Sequence, residues 1–253
     1  MPDRPPSGDT TRAILVLIAT IATIGYNALA AVGLINGVTP ATISDRHPSI
    51  ITPAGYAFSI WSLIYLWMLA FSIYQLLPAN AAKFRSIRTL YIISCLLNIA
   101  WIWCWHHNRI VLCLGAIFGM VAVLMLICSE LRVTESIKDS ALSKAGFGIY
   151  AGWITCAALV NLMVLVDERI EIEGTLSVTL GVVAVLIGTA VAFYARWRLA
   201  NYLFPLAVAW ALTAIAVKQS GNTAIVVAAA FGTVTSLVTA GSIVTSLKDS
   251  TSE

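Results

Sequence analysis

Residues Ile110–Ser129 read IVLCLGAIFGMVAVLMLICS, and no position in the run is Asp, Glu, Lys or Arg. Such a run matches the ~20 residues of helix that span a hydrocarbon core. Soluble chains are about a quarter charged. This chain of 253 residues is 11% charged and 59% hydrophobic, with a mean hydropathy of +0.89. Working outward, seven more charge-free apolar runs appear, at approximately 13–36, 53–78, 89–105, 145–166, 175–195, 199–217 and 222–247. Backbone groups in lipid must be satisfied within their own segment, so eight such runs predict eight transmembrane helices. The alternation of barrel strands is absent. The expected fold class is all-α, a polytopic membrane bundle.

The opening MPDRPPSGDTTR mixes charges and leads into a run too long for a signal peptide. Residues 1–12 are expected to be a disordered cytoplasmic tail, 13–36 an uncleaved first span, and 248–253 a second tail. Cys95, Cys104, Cys113, Cys128 and Cys156 are odd in number and lack metal-ligand spacing, so they read as packing residues. Basic residues sort by side. Arg4, Arg12, Lys83, Arg85, Arg88, Arg132, Lys138, Lys144, Arg196, Arg198 and Lys248 fall on one side; Arg46, Arg109, Arg169 and Lys218 fall on the other. That split of 11 against 4 puts both termini in the cytoplasm. A bacterial inner membrane is the expected location, the lipid bilayer the expected surroundings, and nothing points to nucleic acid.

Pro40, Pro48 and Pro53 keep the first outer loop, about 37–52, from forming one continuous helix. The acidic stretch DERIEIEG, 167–174, separates five spans (13–166) from three more (175–247) and reads as a subdomain boundary. Gly115 and Gly119, and Gly148 and Gly152, have the spacing that lets helix backbones approach closely. Packing within the bundle is the first explanation, and a homodimer face the second.

The spans hold no acidic or basic side chain in their interiors, which disfavours proton- or sodium-driven transport. They offer aromatic and amide groups instead. Phe58, Trp61, Tyr65 and Met68 form a stripe on the second span. Asn98, Trp101 and Trp105 fall on one face of the third, and Tyr150, Trp153, Ala157 and Asn161 on one face of the fifth. At 1.5 Å per residue, Trp61 lies about 12 Å below Pro53, Asn98 about 12 Å and Asn161 about 8 Å from the outer helix ends, and Trp153 near 20 Å. The three stripes therefore meet in one leaflet beneath the first loop. A buried amide needs a partner, so Asn98 and Asn161 either bond within the bundle or serve a ligand. Trp103, Trp197 and Tyr194 read as interfacial anchors; Trp105 reads as either an anchor or a pocket wall. His47, His106, His107, Arg46 and Arg109 are candidates for the rim, where a histidine could meet haem iron or an arginine a carboxylate. Solvated histidines and snorkelling arginines are the plainer readings.

The stretches PAGYAFSIWSLIY (53–65), LNIAW (97–101) and YAGWITCAALVN (150–161) resemble the TspO/MBR family, the tryptophan-rich sensory or translocator proteins. The matching positions are Pro53, Tyr56, Phe58, Trp61 and Tyr65; Asn98 and Trp101; and Tyr150, Trp153 and Asn161. The resemblance covers roughly 13–166, the family's five-helix core, so 175–247 look like three added helices. It implies a receptor for a flat hydrophobic ligand, a tetrapyrrole such as protoporphyrin or haem, with no cofactor required. Stacking of the ligand between Trp61 and Trp153 is the working expectation. A passive transporter, a porphyrin-degrading enzyme and a structural subunit docking a membrane-protein partner are the alternatives.

Overall fold

The computed structural model describes residues 7–170 and 173–242, all-helical apart from turns and connections. Helix α1 (Ser7–Ala31) starts inside the expected tail, because Asp9 sits in its first turn, where the helix dipole favours a carboxylate. Asp9 is buried on Arg85 and lies 4.0 Å from Arg12. Residues 1–6, and the tail at 248–253, lie outside the described residues. Gly33, Asn36 and Gly37, with φ of 75°, 54° and 68°, turn the chain out of α1. In the first loop Pro40 opens a short helix, α2 (Pro40–Arg46), capped by the Thr39 hydroxyl, which accepts from the Thr42 N–H at 3.2 Å.

The second span starts as a 3-10 turn, Gly55–Ser59, and becomes α3 only at Ile60–Tyr74. Trp61 is thus in the first helical turn, and the depth of about 12 Å drawn from Pro53 does not apply. Next come α4 (Arg85–His106) and α5 (Ile110–Glu130). Helix α6 (Ile137–Asp139) passes through a π turn, Ser140–Lys144, into α7 (Ala145–Ile170). Then follow α8 (Gly174–Arg198), α9 (Leu203–Lys218) and α10 (Thr223–Gly241). The acidic stretch is therefore helical at its start, since α7 runs on through Asp167 to Ile170.

Seven segments of the described residues are long and apolar enough to cross a bilayer. The eighth expected span is shorter. Helix α9 has 16 residues, about 24 Å against a hydrocarbon core of about 30 Å. Its first turn is set by Asn201, whose side-chain oxygen accepts from the N–H groups of Leu203 and Phe204 at 3.0 Å each. The shortfall is tolerable because α9 packs against α7, α8 and α10 and buries Phe204, Val208, Leu212 and Ile215. The acidic stretch therefore does not divide the interior: one apolar core runs across all the long helices.

A polar seam joins α1 to α3 and α4. Thr20 bonds Ser72 and Tyr91 at 2.5 Å each, Thr23 donates to the Cys95 carbonyl at 3.5 Å, and Asn27 donates to the Asn98 oxygen at 2.7 Å. At its N-terminal end Arg88 is fully buried and donates to Gln75 at 2.8 Å. Loop contacts pair up by end. Tyr74, Lys83 and Asp139 meet at the end holding the start of α1; Asp45–Lys218 and His47–Glu168 meet at the end holding α2. Successive spans therefore run in alternating directions between the two ends.

A candidate ligand site of two uncharged compartments

The predicted stripes surround two separate spaces. The larger, about 430 Å³, is a groove between α1 and α3 under α2. Phe58, Trp61 and Tyr65 form one wall, Ile24, Asn27 and Ala28 the other, Ile102 the floor, and Thr39, Pro40 and Ala41 the roof. Ala28 and Ser62 on its two sides are exposed, so the groove opens sideways between the helices. The smaller, about 30 Å³, is a chamber lined by Trp101, Trp105, Trp153, Ala157 and Asn161, with Ser44 above and Ala211 and Ile215 of α9 beside them. Both linings lack a charged residue.

Four rings run from groove to chamber in near-parallel order. Tyr65 stacks on Trp61 (5.3 Å, 17°), Trp61 faces Trp101 (6.0 Å, 30°), and Trp101 stacks on Trp105 (6.4 Å, 16°). Trp153 meets Trp61 edge-on at 6.4 Å and 86°. Edge-to-face contact at that separation leaves no slot for a planar molecule. The expected stacking of a ligand between Trp61 and Trp153 is therefore corrected: Trp61 lines the groove and Trp153 the chamber. The Trp153 indole N–H is buried without an acceptor among the described residues. Trp101 donates to the Asn161 oxygen at 3.2 Å, and Asn161 donates to the Ala157 carbonyl at 2.9 Å.

Three predicted wall residues lie elsewhere. Tyr56 is exposed and stands edge-on to Trp210 at 5.4 Å. Asn98 is buried in the seam, accepting from Asn27 and donating to the Tyr150 hydroxyl at 2.9 Å. Tyr150 in turn donates to the Met120 sulfur at 3.1 Å. The polar atoms of Asn98 and Tyr150 are thus spent inside the bundle, and neither residue lines the groove or the chamber. Trp105 is buried and donates to the Pro40 carbonyl at 3.3 Å, so it is a wall and not an anchor. Trp103, Tyr194 and Trp197 are exposed.

None of the rim candidates lines either space. His47 spends one ring nitrogen on Glu168 at 2.6 Å and the other on Asn108 at 3.1 Å. The His106 Nδ1 bonds the Ile102 carbonyl at 2.9 Å inside the protein. His107 bonds the Trp103 carbonyl at 2.7 Å and stacks on that indole at 4.3 Å. Arg46 and Arg109 are exposed. The sequence reading missed the α1 wall and the contribution of α9. Thr20, Thr23 and Asn27, spaced i, i+3 and i+7, were a legible sign that α1 presents a buried polar face; nothing local marks Ala211 or Ile215.

A family model described as TSPO-like protein matches residues 13–242. The match extends through the added helices as well as the five-helix core. No curated protein and no solved structure matches the chain.

Proposed function

We infer that this chain, which belongs to the TSPO-like family, is a membrane receptor for a flat hydrophobic ligand of the tetrapyrrole type. Its long apolar helices make it an integral multi-pass membrane protein, and family membership supports a sensor or transporter type of role. The observation that carries the finer reading is the uncharged groove of about 430 Å³ walled by the Trp61–Tyr65 stack. That volume falls in the range of roughly 300–1,000 Å³ typical of small-molecule sites. An aromatic wall favours contact with a further π system, edge-on as well as stacked. Asn27, Ser62 and Thr39 add neutral hydrogen-bonding groups at the margin. None of the rim histidines lines the groove, so the reading rests on aromatic contact and not on iron ligation. The bias of basic residues supports cytoplasmic termini and a groove in the opposite leaflet.

The test is a titration of the protein in lipid nanodiscs with protoporphyrin IX, followed by tryptophan fluorescence. Saturable quenching is expected, weakened about tenfold in affinity in Trp61→Ala, since a stacked aromatic contact contributes on the order of 1 kcal/mol beyond buried area. Quenching that never saturates, or an affinity indifferent to Trp61→Ala, would remove the receptor reading.

A further inference from the structure

Groove and chamber are separate in volume yet share one lining residue, Phe58. Trp61, the other ring near the divide, is held by Tyr65, Trp101, Tyr150 and Trp153. Among the described residues Phe58 has a single ring neighbour, Trp153, at 6.0 Å and 78°, and it is only partly buried. Its backbone is fixed. The Ala57 carbonyl accepts from the Trp210 indole at 3.0 Å, and the Ala54 N–H donates to the Ala214 carbonyl at 3.0 Å. These bonds hold the backbone and leave the side chain's rotamer to be set by packing alone.

The aqueous side of the chamber is closed differently. Ser44 of α2 lies over it. The loop bearing α2 is tied down by Asp45–Lys218 at 2.9 Å, by His47–Glu168, and by Gln219 donating to the carbonyls of Ser49 and Thr52 at 3.3 and 3.1 Å. Two of these tethers come from the end of α9. The groove, by contrast, opens sideways between α1 and α3, on the flank of two long apolar helices.

We propose that groove and chamber are one divided binding site, loaded sideways from the membrane, with the Phe58 ring as the partition that admits an apolar ligand to the indole chamber. This rests on the receptor reading for the ligand's identity, but not for the route. The chamber is a space for the leading apolar edge of the ligand. The size of the Phe58 side chain then decides how deep a ligand reaches.

Cys156 lines the chamber and reports on access to it. The experiment uses the full chain in nanodiscs with no ligand, so its failure and that of the receptor reading are separable. Benzyl methanethiosulfonate, which partitions into lipid, and a charged trimethylammonium-ethyl methanethiosulfonate are compared by mapping modified cysteines with mass spectrometry. The apolar reagent is expected to modify Cys156 roughly tenfold faster in Phe58→Ala, the size of one rotamer penalty, and more slowly in Phe58→Trp. The charged reagent is expected to leave Cys156 untouched in all three. Lys218→Asp, which repels Asp45, should let the charged reagent in and leave the apolar rate unchanged. Equal rates in native, Phe58→Ala and Phe58→Trp would overturn the proposal. So would a faster charged reagent in the native protein, or a rise shared by Cys95, Cys104, Cys113 and Cys128. If Phe58→Ala does not fold, the Phe58→Trp comparison decides alone.

Discussion

Asn98 illustrates what a single polar residue in a membrane helix reveals and conceals. Its position one turn from Trp101 made a ligand contact and an internal bond equally reasonable, because both need the same inward face. The choice depends on what stands opposite, and that is Asn27 on α1 and Tyr150 on α7. Replacing Asn98 by Leu strips one bond from each partner. Asn27 keeps the Thr23 carbonyl at 2.9 Å, and Tyr150 keeps Met120. A buried group left unpaired costs about 1–3 kcal/mol, but interhelical bonds in membranes average only about 0.6 kcal/mol because alternatives exist. With both partners retaining one bond, the smaller figure governs. Asn98→Leu is expected to lower stability by about 1–2 kcal/mol in unfolding from bicelles while protoporphyrin affinity stays unchanged. A loss of binding without a loss of stability would return Asn98 to the site.

At the scale of helices, eight apolar runs correspond to seven long segments and the sheathed α9. What the runs could not convey is which helix touches which. The two glycine pairs look alike in sequence and differ in structure. A Cβ on Gly148 would stand 2.0 Å from the Asn201 side-chain oxygen, and one on Gly152 would stand 2.5 Å from the Phe204 carbonyl oxygen. Gly152 makes room for α9 itself and Gly148 for Asn201 just before it, so that face of α7 is closed to a second copy of the chain. At Gly115 a Cβ would meet nothing within 4 Å. Gly152→Ala should therefore destabilise by about 1–3 kcal/mol through overpacking against backbone that cannot give way. Gly115→Ala should be neutral or stabilise by up to about 1 kcal/mol through helix propensity. The same bicelle unfolding measurement reads both, and equal effects would contradict the α7–α9 contact.

For the whole molecule, the acidic stretch at 167–174 looked like a boundary because composition changes there. Contacts across it say otherwise. Asn201 donates to the Lys144 carbonyl at 2.7 Å, Trp210 and Ala214 fix the turn before α3, and Lys218 and Gln219 hold the first loop. Helix α9 thus touches the five-helix core at both ends and along its length. Charge patterning could not reveal this, since a loop's composition reports its solvent exposure and not the packing of the helices on either side. Apolar burial does not drive such packing in lipid, where acyl chains are as apolar as the helices. Close backbone approach and satisfied polar groups do. Two fragments, 1–170 and 173–253, co-expressed with an affinity tag on the first alone, should then co-purify one to one and retain the slow Cys156 modification of the intact chain. The tethers from Lys218 and Gln219 need only proximity, not covalent continuity through 171–172. Recovery of 1–170 alone, folded and with an unchanged Cys156 rate, would mean that the added helices neither hold the loop nor complete the chamber.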